Sequence, residues 1–155
     1  MSRFDNAALD IDANSKGIIS NEAFRLESTW TFVENLTGNA AAHTLFTVTG
    51  NVLAAVFGIC DTNLSTGATI EVGVTGATAG IIAQVAESGN LDDGMVWVDA
   101  TPDETEAIPS PRVINDGADI LLTIGTADLT AGVIDFYCLW RPLSETGNIT
   151  ITTPA

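Results

Sequence analysis

The sequence predicts an all-β protein: an antiparallel β-sandwich of jelly-roll type, preceded by an extended N-terminal arm. Three observations carry this expectation. Short runs alternate apolar and polar side chains with a period of two. Turn signals separate those runs: Thr37-Gly38-Asn39, Thr49-Gly50-Asn51, Ser88-Gly89-Asn90 and Thr146-Gly147-Asn148 are near-copies of one punctuator, and Asp93-Gly94 and Asp116-Gly117 are hairpin-type dipeptides. The apolar residues, 46% of the 155, are mostly small and β-branched rather than helix-forming, and 14 glycines accompany them.

Taken in order, residues 1–25 lack alternation and read as an arm, and residues 26–155 as one sandwich domain. The one helix start signal opens a short segment, Ser20 to Leu26. "TWTFVENL" (29–36) sets Trp30 and Phe32 on one face. The uncharged run from Asn35 to Cys60 is long enough to span a bilayer. Its Gly-Asn breaks, Asn39, His43, Asn51 and threonines make it two strands and a turn instead. Within it "NVLAAVFGIC" (51–60) is apolar on both faces, as expected of a central strand covered on both sides or meeting another subunit.

"TIEVGVT" (69–75) turns Ile70, Val72 and Val74 inward and Thr69, Glu71 and Gly73 outward. "TPDETEAIPSPR" (101–112), with three of the five prolines, reads as an exposed loop. "ADILLTIGT" (118–126) buries Ile120, Leu122 and Ile124. "VIDFYCLWR" (133–141) buries Ile134, Phe136, Cys138 and Trp140, leaving Asp135 and Arg141 outward. Eight or so strands at this spacing fit a double-sheet fold.

The net charge of −15 narrows the partners. Such a field repels phosphate backbones and anionic lipid, so neither nucleic acid nor membrane is expected as a partner. The charge is uneven. Residues 1–25 hold Arg3, Lys16 and Arg25 against Asp5, Asp10, Asp12 and Glu22, a balance of −1. The remainder holds Arg112 and Arg141 against sixteen acids, a balance of −14. The opening residues Met1 to Asn6 have no apolar stretch after their charge, so no secretory signal is expected there. Cys60 and Cys138 sit inside apolar runs; free buried thiols are the default expectation, as in a protein made in the cytoplasm, and a bridge between the two is the alternative.

No set of residues carries recognisable catalysis. "DANSKGIISNEAF" (12–24) imitates an EF-hand loop, but Lys16 and Ala23 occupy two ligand positions. His43, the single histidine, has no Gly-x-Ser-x-Gly elbow to serve and reads as a strand-end side chain with a hydrogen-bond partner. "GVTGATAG" (73–80) lacks the lysine and helix of a phosphate loop and reads as a hairpin tip. Two cysteines and one histidine lack zinc-ligand spacing, and no cofactor is expected. The acids Asp92, Asp93, Asp99, Asp103, Glu104 and Glu106 make a solvated acidic loop; Asp92, Asp93 and Asp99 are its candidate calcium ligands. Sequons at Asn35, Asn63 and Asn148 are chance matches in a threonine-rich chain.

What remains is surface. Trp30, Trp97, Trp140, Phe57 and Tyr137 are too many large side chains for the inner faces alone. Tyr137 and Leu139 point opposite to Phe136 and Cys138, so Phe57, Tyr137 and Leu139 are expected at an interface between identical subunits, in a symmetric homo-oligomer and specifically a trimer.

"HTLFTVTGNV", "TIEVGVTGATAGIIAQ", "VWVDATP" and "ADILLTIGTADLTAGVIDFYCLWRPL" resemble the small β-rich structural proteins of tailed bacteriophages, in particular capsid decoration (cement) proteins. The resemblance spans roughly residues 28–143 and lies in general character, in Thr/Gly/Ala-rich strands with few charges and no active-site motif. It implies a non-enzymatic trimer on the outer surface of an icosahedral capsid, made in the host cytoplasm. There it would bridge subunits of the major capsid protein and grip the shell with an arm. Arg3, Phe4, Phe24 and Arg25 are the arm residues that would make that contact, with the anionic body facing outward.

Two further classes fit the same sequence: a phage fibre or receptor-binding module, using the acidic loop for calcium-dependent glycan binding, and a hydrolase built on paired carboxylates.

Overall fold

The computed structural model describes residues 24–115 and 117–152, and every element in it is a strand or a short turn. The strands are β1 (Phe24–Thr31), β2 (Ala42–Thr49), β3 (Val52–Thr62), β4 (Thr69–Val74), β5 (Ala77–Val85), β6 (Val96–Trp97), β7 (Arg112–Ile114), β8 (Ile120–Gly125), β9 (Val133–Pro142) and β10 (Asn148–Ile151). One 3-10 turn, Ser88–Asn90, sits between β5 and β6.

The strands form two antiparallel sheets. Sheet I runs β1-β9-β3, with β6 and β7 in line along the far edge of β3, β7 beside Val52 to Ala54 and β6 beside Gly58 and Ile59. Sheet II runs β10-β2-β8-β4-β5. The chain alternates between them, and its pairs are nested: β4 with β5, β3 with β6 and β7, β2 with β8, β1 with β9. The two sheets share one hydrophobic core, a β-sandwich-like arrangement to which sheet I contributes Ile134 and Phe136 and sheet II Phe46, Ile70 and Leu122.

Period-two patterning explains which side chains face that core. In β9, Ile134, Phe136, Cys138 and Trp140 are buried and the intervening residues half-exposed. In β8, Ile120, Leu122 and Ile124 alternate in the same way. β3 is central in sheet I, with β9 along one edge and β6 and β7 along the other; Val52, Ala54, Val56 and Cys60 face the core, while Leu53, Phe57 and Ile59 on its other face are half-exposed. Trp30, Trp97 and Trp140 are all buried. The core therefore takes the three tryptophans, and of the five large side chains only Phe57 and Tyr137 remain outside.

Two sequence expectations change. The described part of the Ser20–Leu26 segment, Phe24 to Leu26, is strand and not helix. The sandwich thus begins before residue 26: Phe24 pairs with Trp140 and Arg25 with Leu139. The Phe24 and Trp140 rings lie 5.0 Å apart, and this cross-strand partner overrides the local helix signal. Glu71 does lie on the outer face of β4, yet it is only 9% exposed because Gln84 of β5 covers it and donates to its carboxylate at 2.6 Å.

The repeated turn tripeptides have a packing role. Gly50 has φ +63°, and a β-carbon there would stand 2.6 Å from the Gly147 nitrogen, so Thr49-Gly50-Asn51 and Thr146-Gly147-Asn148 lie against each other. The Asn51 carbonyl accepts from the Leu143 nitrogen at 2.8 Å, tying the same two turns together.

Both cysteines are free and buried. Burial pushes the Cys138 thiol up to about 12 and, opposed in part by a backbone hydrogen bond at Thr62, the Cys60 thiol up to about 11. A folded-state pKa above the unfolded value of 9.0 means the unfolded chain loses its proton first as pH rises. The stabilisation is complete below pH 9.0 and disappears as pH climbs toward about 12. Cys138 alone is expected to lower stability by on the order of 2 kcal/mol at the midpoint of that window. Urea titrations at stepped alkaline pH measure the fall, and Cys138→Ala is expected to remove that share and leave the share of Cys60. At pH 8 neither thiol of the native protein is expected to react with Ellman's reagent, while both react in denaturant.

Candidate interaction surface

The two outer sheet faces differ in chemistry. The outer face of sheet II is rich in threonine, with Thr44, Thr47 and Thr49 of β2, Thr69 of β4, Thr123 of β8 and Thr150 of β10, and with Leu121 and the Glu71–Gln84 pair among them. The outer face of sheet I is apolar and aromatic. Leu53, Ala55, Phe57 and Ile59 of β3 stand opposite Arg141, Leu139, Tyr137 and Asp135 of β9, and Leu53 also stands opposite Val113 of β7. Val113 is 67% exposed.

Cross-strand register builds the centre of this face. Tyr137 pairs with Phe57, and the rings stack 5.2 Å apart at 16°. On the other side Tyr137 pairs with Glu27, and the Arg25 guanidinium lies 5.8 Å from the Tyr137 ring centre. Arg25 and Glu27 form an ion pair at 3.1 Å. Both groups are exposed, so the pair itself adds little stability. Partial burial, then the carboxylates of Glu27 and Asp135, push the Tyr137 phenol up, with Arg25 opposing. Phe57, Tyr137 and Leu139, expected at a subunit interface, therefore adjoin one another, and Arg25, expected in the arm, joins them. Phe24 points the other way, onto Trp140 at the inner edge of sheet I. Arg3 and Phe4 lie outside the described residues, as does the Asp12–Ala23 stretch of the EF-hand imitation.

Charge is distributed along the strand axis. The loops 32–41, 63–68, 86–95 and 126–132 meet at one end, joined by bonds such as Leu129 N to Gly38 O (2.7 Å), Ser65 N to Ala131 O (3.1 Å) and Leu64 N to Leu91 O (3.1 Å). Glu34, Asp61, Glu87, Asp92, Asp93 and Asp128 crowd there. Glu87 is held below the usual carboxylate range by the backbone N–H groups of Gly67 and Gly89. Arg25, Arg112 and Arg141, the three basic residues described, gather at the opposite end of sheet I, in the rows Arg25–Leu139, Ala54–Arg112 and Leu53–Arg141.

The catalytic and metal candidates are spread apart. His43 Nε2 lies 2.9 Å from the Asn39 carbonyl oxygen, and its ring meets the edge of Trp30 at 5.7 Å, the strand-end arrangement its context predicted. Asp99 accepts from the Thr101 N–H and hydroxyl, and Asp103 from the Glu104 N–H. Among the described residues no three His, Cys, Asp or Glu side chains stand where they could hold a metal ion, and Asp92, Asp93 and Asp99 form no such group.

No protein-family model matches this chain, no curated protein matches it, and no solved structure matches it. The functional reading therefore rests on the surface itself.

Sequence reasoning found the aromatic pair but missed the basic end. Arg25, Arg112 and Arg141 are far apart in the chain, and only the β1·β9·β3·β7 register brings them together.

Proposed function

We propose that this chain is a non-enzymatic virion structural protein that acts by adhesion, as a homotrimeric decoration protein on the outer surface of a phage capsid. The observation that carries the reading is the contrast between the two outer faces. A sheet whose outer side offers Leu53, Phe57, Tyr137, Leu139 and Val113 gains by covering them, whereas the outer side of sheet II offers mainly threonines and the Glu71–Gln84 pair, with Leu121 its large apolar side chain. Burial of the sheet I face between copies is the proposed trimer contact, and the segment before β1 is the proposed grip on the major capsid protein. The nested antiparallel pairs, read from β1·β9 inward to β4·β5, support a jelly roll, with β10 as an added edge strand.

Two measurements test this. In sedimentation velocity the full chain is expected to run as a trimer. Tyr137→Glu or Phe57→Glu is expected to weaken assembly by about 2–4 kcal/mol per interface, because a carboxylate replaces a stacked ring. Phage heads stripped of the chain are expected to rebind it, and deletion of residues 1–23 to abolish rebinding while the trimer persists. That deletion stops before Phe24 because β1 starts there. A monomeric wild type would refute the interface, and undiminished head binding by the deletion would refute the arm.

A further inference from the structure

Sheet I has one regular edge. β1 stands at its end and, among the described residues, pairs only with β9. That pairing runs through all eight residues of β1 without a register shift, and the strand holds no proline or glycine. The other edges are blunted: β10 has four residues, β6 and β7 have two and three, and β5 shifts register against β4. The hydrogen bond from Phe32 N to Gly132 O (2.9 Å) continues the β1–β9 ladder by one step. Ladder bonds recur at every second residue, so Leu26, Ser28 and Trp30 spend their backbone groups on β9. Arg25, Glu27, Thr29 and Thr31 turn theirs outward. Thr37 Oγ1 donates to the Thr31 carbonyl at 2.6 Å and closes the edge there. Among the described residues, Arg25, Glu27 and Thr29 keep open main-chain N–H and C=O groups.

We propose that this edge pairs with the same edge of a second copy of this chain, about a two-fold axis through Leu26. Charge selects that axis. Residues paired across a sheet share a face, so the axis passes through one residue of the strand. Centred on Arg25 or on Glu27, it sets like charges opposite each other. Centred on Ser28 or beyond, it draws the closed Thr31 into the ladder. Centred on Leu26, it sets Arg25 opposite Glu27 of the second copy and Glu27 opposite its Arg25, each pair exchanging both main-chain hydrogen bonds. The two side chains are 61% and 42% exposed, so each is free to turn from its neighbour in the strand to the facing chain. Such a contact uses each edge once and stops at two. It goes beyond the proposed function: the trimer contact lies on the outer face of sheet I, and the edge joins one trimer to the next.

The test uses the full chain carrying Phe57→Glu, which removes the proposed face contact and leaves the edge, labelled with ¹⁵N. As the protein is concentrated to about 1 mM, the amide resonances of Arg25, Glu27 and Thr29 are expected to shift, and those of Leu26 and Ser28, already bonded to β9, to shift less. Arg25→Glu or Glu27→Arg, added singly at these exposed positions, is expected to weaken self-association by about tenfold or more. An equimolar mixture of the two variants is expected to regain it, because one chain then offers acids at both positions and the other arginines. Neither variant keeps the ion pair within its own strand, so recovery on mixing reports a contact between chains. No concentration dependence at about 1 mM overturns the inference, as does a mixture no tighter than either variant alone. So do Leu26 and Ser28 amides that shift more than those of Arg25 and Glu27. A Phe57→Glu chain that still sediments as a trimer refutes the face contact and leaves the edge readout unaffected, so the two failures are separate results.

Discussion

Trp97→Ala is expected to destabilise the fold by about 3–5 kcal/mol, the largest loss available from a single truncation here. Trp97 is fully buried although its strand, β6, has only two residues. Its backbone is held by pairing with Gly58 of β3, and its ring meets Phe136 edge-on at 6.1 Å. Phe136 belongs to β9, the second strand of sheet I, so the indole reaches across from the sheet edge and pins β6 to the core. Gly58 makes room: a β-carbon there would lie 3.0 Å from Ile134 Cγ2. With the indole gone, β6 keeps little besides a short ladder and the bridge between Val96 and Asp103. Urea unfolding would read the loss as a lower midpoint. A Trp97→Ala midpoint within experimental error of wild type would show that β6 is not anchored in this way.

Gly38→Ala is expected to cost on the order of 3 kcal/mol, in contrast to about 1 kcal/mol for Gly94→Ala. The two positions separate crowding from backbone strain. At Gly38 a β-carbon would fall 2.0 Å from the Leu129 carbonyl oxygen, a backbone atom that cannot rotate aside. The same neighbourhood holds the hydrogen bond from Leu129 N to Gly38 O at 2.7 Å, which joins the β1–β2 and β8–β9 loops. Gly94 has φ +89° and open space around it, so alanine there meets only the left-handed backbone penalty. Thermal unfolding of both variants against wild type decides the ranking, and equal shifts would mean the loop contact is easily displaced.

Much of the fold was legible because alternation reports directly on which side of a sheet a residue faces. Ile120, Leu122 and Ile124, and Ile134 through Trp140, read correctly since each polar interruption fell on the solvent side. β1 was harder. Its inward positions are Phe24, Leu26, Ser28 and Trp30, and the buried Ser28, opposite Phe136, breaks the apolar rhythm that would have announced a strand. Nor can local pattern see β6, which is fixed by one tryptophan reaching the core. The aromatic patch was half visible. Tyr137 and Leu139 were placed outward by parity alone, but the stack on Phe57 and the approach of Arg25 depend on register, which no single strand encodes.

Nesting of the strand pairs also dictates an order of events at the ribosome. β4 can close on β5 across a two-residue link, whereas Trp30 must wait for Ile134, about a hundred residues later in the chain. At translation rates of about 5–20 residues per second, β1 emerges roughly 5–20 s before its sheet partner β9 has been made. Throughout that interval β1 lacks the strand it pairs with, leaving its backbone edge and the apolar Leu26 and Trp30 unassembled, so the nascent chain is at its most aggregation-prone with most of its synthesis already done.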